Sequence, residues 1–97
     1  MIIISDIVFE EIKKKDTVLF ARVIPKIGYY ELLELYIVSV YSDYVTGTDK
    51  KTKQTFCFGK NLAQNVLFKD RKKAIAYLNK KEQENKKKGI KVYIEWD

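Results

Sequence analysis

Ninety-seven residues with 46% hydrophobic and 13% aromatic side chains make one domain with a modest core, not a disordered tail. The net charge of +6 is unevenly divided: residues 1–45 carry five basic and seven acidic side chains, residues 46–97 fourteen and six, or −2 against +8. Histidine is absent and Cys57 is the sole cysteine, which excludes an internal disulfide, a Cys/His metal framework and the Ser-His and Cys-His nucleophile pairs.

Residues 2–12 read two ways: as a strand, or as a short amphipathic helix from Ser5-Asp6 with Ile4, Ile7, Val8 and Ile12 on one face. The strand is the preferred reading. Lys15-Asp16 turns into residues 17–24, a β-branched and aromatic strand that Pro25 stops. Pro25-Lys26-Ile27-Gly28 is the next turn, with Gly28 free to take positive φ. Residues 29–41 follow as a long apolar and aromatic strand. Leu33, Leu35 and Ile37 share one face and Val38 and Val40 fall on the other, so a β-bulge near Ser39 is needed to restore a single core face. A helix through Tyr30, Leu33 and Ile37 competes, weakened by the β-branched end of the run.

Ser42-Asp43 is a two-residue hairpin turn, residues 44–48 return, 49–53 turn again, and 54–58 come back to end at Gly59. After a short connector, Val66-Leu67-Phe68 reads as a fifth short strand. Asp70 is a natural N-cap for a helix over about residues 71–88, with Gly89 as its stop. Ala74, Ile75 and Leu78 form the helix's apolar stripe, and from Lys80 onward it projects into solvent. Residues 90–96 alternate cleanly and can add an edge strand.

These elements predict a mainly β fold with one C-terminal α-helix: a small five-stranded SH3-like barrel, or a strongly bent antiparallel sheet. Closure would remove the edges of so aromatic a meander. The start lacks a basic leader region, and no stretch approaches the roughly 20 apolar residues of a membrane span, so a cytoplasmic protein is expected. Glycines 28, 47, 59 and 89 stand alone and form no phosphate loop. Glu10-Glu11, Glu31/Glu34 and Glu82/Glu84 match no recognisable catalytic setting. The expectation is a protein that is not an enzyme and needs no cofactor or metal.

Phe20-Ala21-Arg22-Val23-Ile24-Pro25, Tyr30-Glu31, Glu34-Leu35, Tyr44-Val45-Thr46-Gly47-Thr48-Asp49-Lys50, Phe56-Cys57-Phe58 and Val66-Leu67-Phe68-Lys69-Asp70-Arg71-Lys72-Lys73-Ala74 carry a resemblance. Over roughly residues 16–85 the chain resembles small proteins of phages and mobile elements of low-GC Gram-positive bacteria. The resemblance implies a setting, an accessory gene acting in the host cytoplasm, and brings no functional residue with it.

Two features can carry function. Lys73, Lys80 and Lys87 stack at a spacing of seven opposite the apolar stripe, with Lys72 beside them, and Lys50, Lys51 and Lys53 crown the hairpin tip. On one side of the fold they would make a basic ridge able to contact phosphates without reading bases. The bland alternative is a solvated face, and seventeen of the nineteen basic residues being Lys favours neither a planar grip nor base readout. Second, five of the seven tyrosines (29, 30, 36, 41 and 44) fall within sixteen residues, with Tyr41 and Tyr44 flanking an exposed turn. Strand tyrosines either pack at a core edge or receive a peptide or an unstacked base. Cys57, between Phe56 and Phe58, is expected as a small core residue. Trp96 closes the core or marks an oligomer contact.

The leading expectation is a non-enzymatic binding module that inhibits a host protein or nucleoprotein complex, such as a defence system, by covering an acidic surface or contacting guide RNA or DNA within the complex. Sequence-tolerant nucleic-acid binding through the Lys ridge is the alternative. A homo-oligomer built on the edge of residues 90–96 is the third.

Overall fold

The computed structural model describes residues 5–24, 26, 28–87 and 93–95, with side chains up to residue 84. Five antiparallel strands lie in the order β4-β3-β2-β1-β5: β1 Thr17–Ile24, β2 Tyr29–Val40, β3 Tyr44–Asp49, β4 Thr55–Gly59 and β5 Leu67–Phe68. Helix α1, Lys60–Val66, joins β4 to β5, and α2, Arg71–Lys87, follows. A last strand, β6 (Tyr93–Glu95), pairs with β2 in parallel at Tyr29–Glu31.

The expected mainly β fold with a C-terminal helix is found, but the sheet is open and the SH3-like barrel is not formed. The reason lies in the β1–β2 hairpin, registered from Thr17↔Tyr36 to Ile24↔Tyr29. Side chains alternate across a sheet. Leu33, Leu35 and Ile37, with Val18 and Phe20, face one core that also holds Val45, Phe58, Ala63 and Leu67. Ala21 and Tyr30, with Leu19, Val23 and Leu32, face a second core completed by Phe68, Ala74 and Leu78. A barrel has a single interior, whereas this hairpin is covered on both faces. Two-sided burial also explains why its strands read as continuous apolar runs instead of clean alternation.

Residues 5–12 cover the first core. Here the preferred strand gives way to an irregular segment with one 3₁₀ turn, Phe9–Glu11. Ile7, Phe9 and Ile12 are buried and Val8 is exposed. Asp6 fixes the segment by accepting from the amides of Lys69 (2.7 Å) and Asp70 (3.0 Å), and the Ser5 hydroxyl donates to the Leu67 carbonyl. The expected connector after Gly59 is helix α1. Seven residues are too few to show helical periodicity, yet Ala63 is fully buried against the first core.

The expected bulge is present: the β2–β3 register shifts between Ile37 and Ser39. Val38 is the extra residue, and Val40 pairs with Val45 beyond it but stays exposed, so the core face ends at Ile37 on this strand. Across β2's other edge, the Lys15 amide donates to the Ile37 carbonyl (2.9 Å) and the Ile37 amide to the Asp16 carbonyl (2.8 Å), with Lys15 at φ 78°. This is a bulge of the kind usually built on glycine. Gly47, opposite Ile37, lets β3 close in, since a Cβ there would stand 3.3 Å from Leu35 Cβ.

The Ser42-Asp43 turn closes through the Tyr41 amide on the Tyr44 carbonyl (2.8 Å). Asp70 caps α2 as expected, accepting from the Lys72 amide at 3.0 Å. The buried Tyr30 hydroxyl donates to the Lys81 carbonyl (3.0 Å) and ties α2 to the start of β2. Of residues 90–96, only 93–95 are described; Trp96 lies outside the described residues.

Cys57 is exposed, which corrects its expected place in the core. It pairs with Thr46 on the face opposite the buried Phe58. Cys57→Ser should therefore hold folding stability within about 0.5 kcal/mol in urea titration, whereas Leu78→Ala should cost about 3 kcal/mol.

Candidate functional site

The β3–β4 tip is organised by an acid. Asp49 is buried at 3% exposure, where its Oδ2 accepts from the Thr52 hydroxyl (2.7 Å) and its Oδ1 from the Lys51 amide (3.1 Å). Its backbone accepts from the Lys53 amide (2.9 Å) and donates to the Gln54 carbonyl (2.8 Å), which puts Lys53 at φ 65°. Burial pushes the Asp49 carboxyl up. Hydrogen bonds from the Thr52 hydroxyl and the amides of Lys51 and Thr52, with the Lys51 charge, outweigh it and hold the pKa below the usual value. At this tip Lys50 pairs with Glu34 (2.7 Å), and Lys51 and Lys53 are exposed.

The lysines of α2 lie elsewhere. The helix packs over β1, β2 and β5, while the tip joins β3 to β4 on the other flank of β2. Lys72 and Lys73 are exposed in its first turn, and Lys80 is half-buried and engaged in an interaction. The Lys87 side chain lies outside the described ones. The proposed ridge thus divides into a tip group and a helix group.

Because α2 covers only β1, β2 and β5, the same face of β3, β4 and the far half of β2 carries no covering element among the described residues. Three cross-strand rungs line it: Tyr36–Thr48–Thr55, Ser39–Thr46–Cys57, and Tyr44–Gly59. The Thr48 and Thr55 hydroxyls share a hydrogen bond of 3.0 Å. Tyr41 and Tyr44 stack at one end, with ring centroids 4.4 Å apart and planes 20° apart. Desolvation, then the neighbouring Tyr41, Cys57 and Asp43 groups, raise the Tyr44 phenol pKa above its usual value. Tyr41 is 49% exposed, Tyr36 40% and Val38 39%.

Of the residues on this face, the sequence singled out Tyr41 and Tyr44 and counted Tyr36 only as one of the clustered tyrosines; it did not place Val38 or Cys57 there. The signal for Tyr36 was present: it alternates with Leu35 and Ile37, two residues whose burial was expected. A shallow apolar cleft of about 290 Å³ also opens between β1 and the two helices, lined by Phe20, Ala21, Val23, Leu62, Val66, Tyr77 and Lys81. Among the described residues, no group of His, Cys, Asp and Glu side chains is placed to hold a metal ion, and no helix is long and apolar enough to cross a membrane.

Comparison with known proteins finds no matching family model, no similar curated protein and no similar solved structure.

Two substitutions test the tip. Lys53→Gly should stabilise the fold by about 0.5–1 kcal/mol, because the left-handed backbone penalises a side chain. Asp49→Asn should destabilise at pH 7. Since the folded pKa is lowered, the stabilisation is complete above the ordinary value of 3.8 and is lost as pH falls through the folded value. The gap between variant and wild type in urea titrations should therefore close only below pH 3.8.

Proposed function

We propose that the protein is a non-enzymatic binding module of phage type that acts by covering part of a host protein or nucleoprotein complex. The uncovered half of the sheet supports this reading, and the stacked Tyr41–Tyr44 pair is the observation that carries it. Rigid tyrosines supply contact area at low entropic cost, and such anchors dominate binding energy. The face carries few charges, the Glu34–Lys50 pair at its side and Asp43 beside Tyr44, with Lys51 and Lys53 at the opposite rim. A flat partner surface with acidic groups facing the tip matches that distribution. Inhibition follows if the covered surface is the partner's working one, a defence complex being the kind of target the resemblance suggests.

Affinity capture from lysate of a low-GC Gram-positive host provides the test. The wild-type chain should retain a stoichiometric protein, and Tyr41→Ala with Tyr44→Ala should weaken its binding about 30-fold or more. Lys72→Glu with Lys73→Glu should change it little. Capture of nucleic acid alone, weakened by the lysine variants and steeply by salt, would replace this reading with nucleic-acid binding. Recovery of no stoichiometric partner would remove it.

A further inference from the structure

We propose that β4 pairs edge to edge with β4 of a second copy, about a two-fold axis at Cys57, to form one continuous sheet. The edge is open: β4 ends the sheet order, and no strand flanks its outer side among the described residues. Its parity is defined. The Asp49 amide bonds to Gln54 and the Lys60 amide to Asp43, so even-numbered residues of this segment turn their backbone groups toward β3. Thr55, Cys57 and Gly59 therefore turn their N–H and C=O groups outward.

Nothing in the strand blunts this edge. Thr55-Phe56-Cys57-Phe58-Gly59 contains no charge and no proline, the devices by which natural edges avoid pairing. The segment is also close to palindromic about Cys57, which is what an isologous contact needs. Antiparallel pairing sets Thr55 against Gly59 of the second copy, Cys57 against Cys57, and Phe56 against Phe58. The two Phe pairs continue the first core across the seam, where Phe56 is only partly buried and Phe20 already meets both rings edge-on (centroids 5.3 and 4.8 Å). The open space beside Gly59 leaves room for Thr55 of the other copy.

Charge agrees with the register. One end of β4 carries Lys51 and Lys53, and the other carries Asp43 and the Glu10–Lys60 pair (2.8 Å). Antiparallel pairing brings the basic end of each copy to the more acidic end of its mate. Both uncovered tyrosine faces then lie on the same side of the joined sheet, so the dimer offers a partner two equivalent sites.

Sedimentation equilibrium from about 1 to about 200 µM reads the self-association directly. The expected mass rises toward twice the 11.4 kDa of one chain. The contact register is read by mild oxidation, which should link the chains through Cys57, since directly opposed strand residues stand within disulfide reach. Gly59→Pro keeps the observed φ of −66° and removes only an outward donor, so the monomer should fold while dimerisation weakens at least about tenfold. Thr55→Lys, which sets a charge into the seam, should do the same if the proline variant misfolds. A single-chain mass throughout, or a dimer indifferent to both substitutions, overturns the proposal. Loss of host-partner capture without loss of the dimer leaves it standing, so the two readings fail separately.

Discussion

Everything in this fold depends on one hairpin being buried twice. Phe20 and Leu33 pair across β1 and β2 and point into one core; the next pair, Ala21 and Leu32, points into the other. Residues 5–12 and α1 supply one cover, and α2 supplies the other. Each cover is short, so neither could build a domain alone at this size. Placed on opposite faces of one hairpin, they share its strands and need only one set of ladder hydrogen bonds. The uncovered part of the sheet is the remainder of this arrangement: α2 reaches β1, β2 and β5 and no farther.

The joints between covers and sheet are made by small polar groups whose partners lie far apart in sequence. Asp6 accepts two amides ahead of α2, and Tyr30 donates to a carbonyl late in the same helix. A carboxylate on amide donors gives charge-assisted bonds, stronger than neutral ones. With Asp70 capping the helix from below, α2 is held at its start and again at Lys81. Its tilt over the sheet is thus defined, and with it the boundary between covered and open surface.

Much of the strand plan was legible in the sequence because turns and parity are local. The Ser42-Asp43 turn, the bulge near Ser39 and the Asp70 cap each follow from a few neighbouring residues. What was not legible depended on contacts across the chain. Residues 2–12 resemble a strand by composition, but in the described part, 5–12, the Ser5 and Asp6 side chains and the Phe9 amide are claimed by Leu67, Lys69 and Gln64. Helix α1 is too short to announce itself. Cys57 reads as core beside two phenylalanines, yet parity sends it outward. Closure failed as an expectation because periodicity in β2 was read for one core, while Tyr30 and Leu32 belonged to a second. The uncovered face was half legible: the tyrosines were visible, but which of them stay uncovered depends on where α2 ends.

The order in which the covers occur along the chain has its own consequence. Strands β1 to β4 form an uninterrupted meander, so their pairings close short loops and belong to the fast, local part of folding. The helix that shields Ala21, Tyr30 and Leu32 comes after them. As the chain emerges during synthesis, the meander can pair while its second face is still wet, until residues 71–81 arrive. During that interval the molecule is a sheet whose two faces are covered in turn, the first by α1 and residues 5–12 and the second by α2.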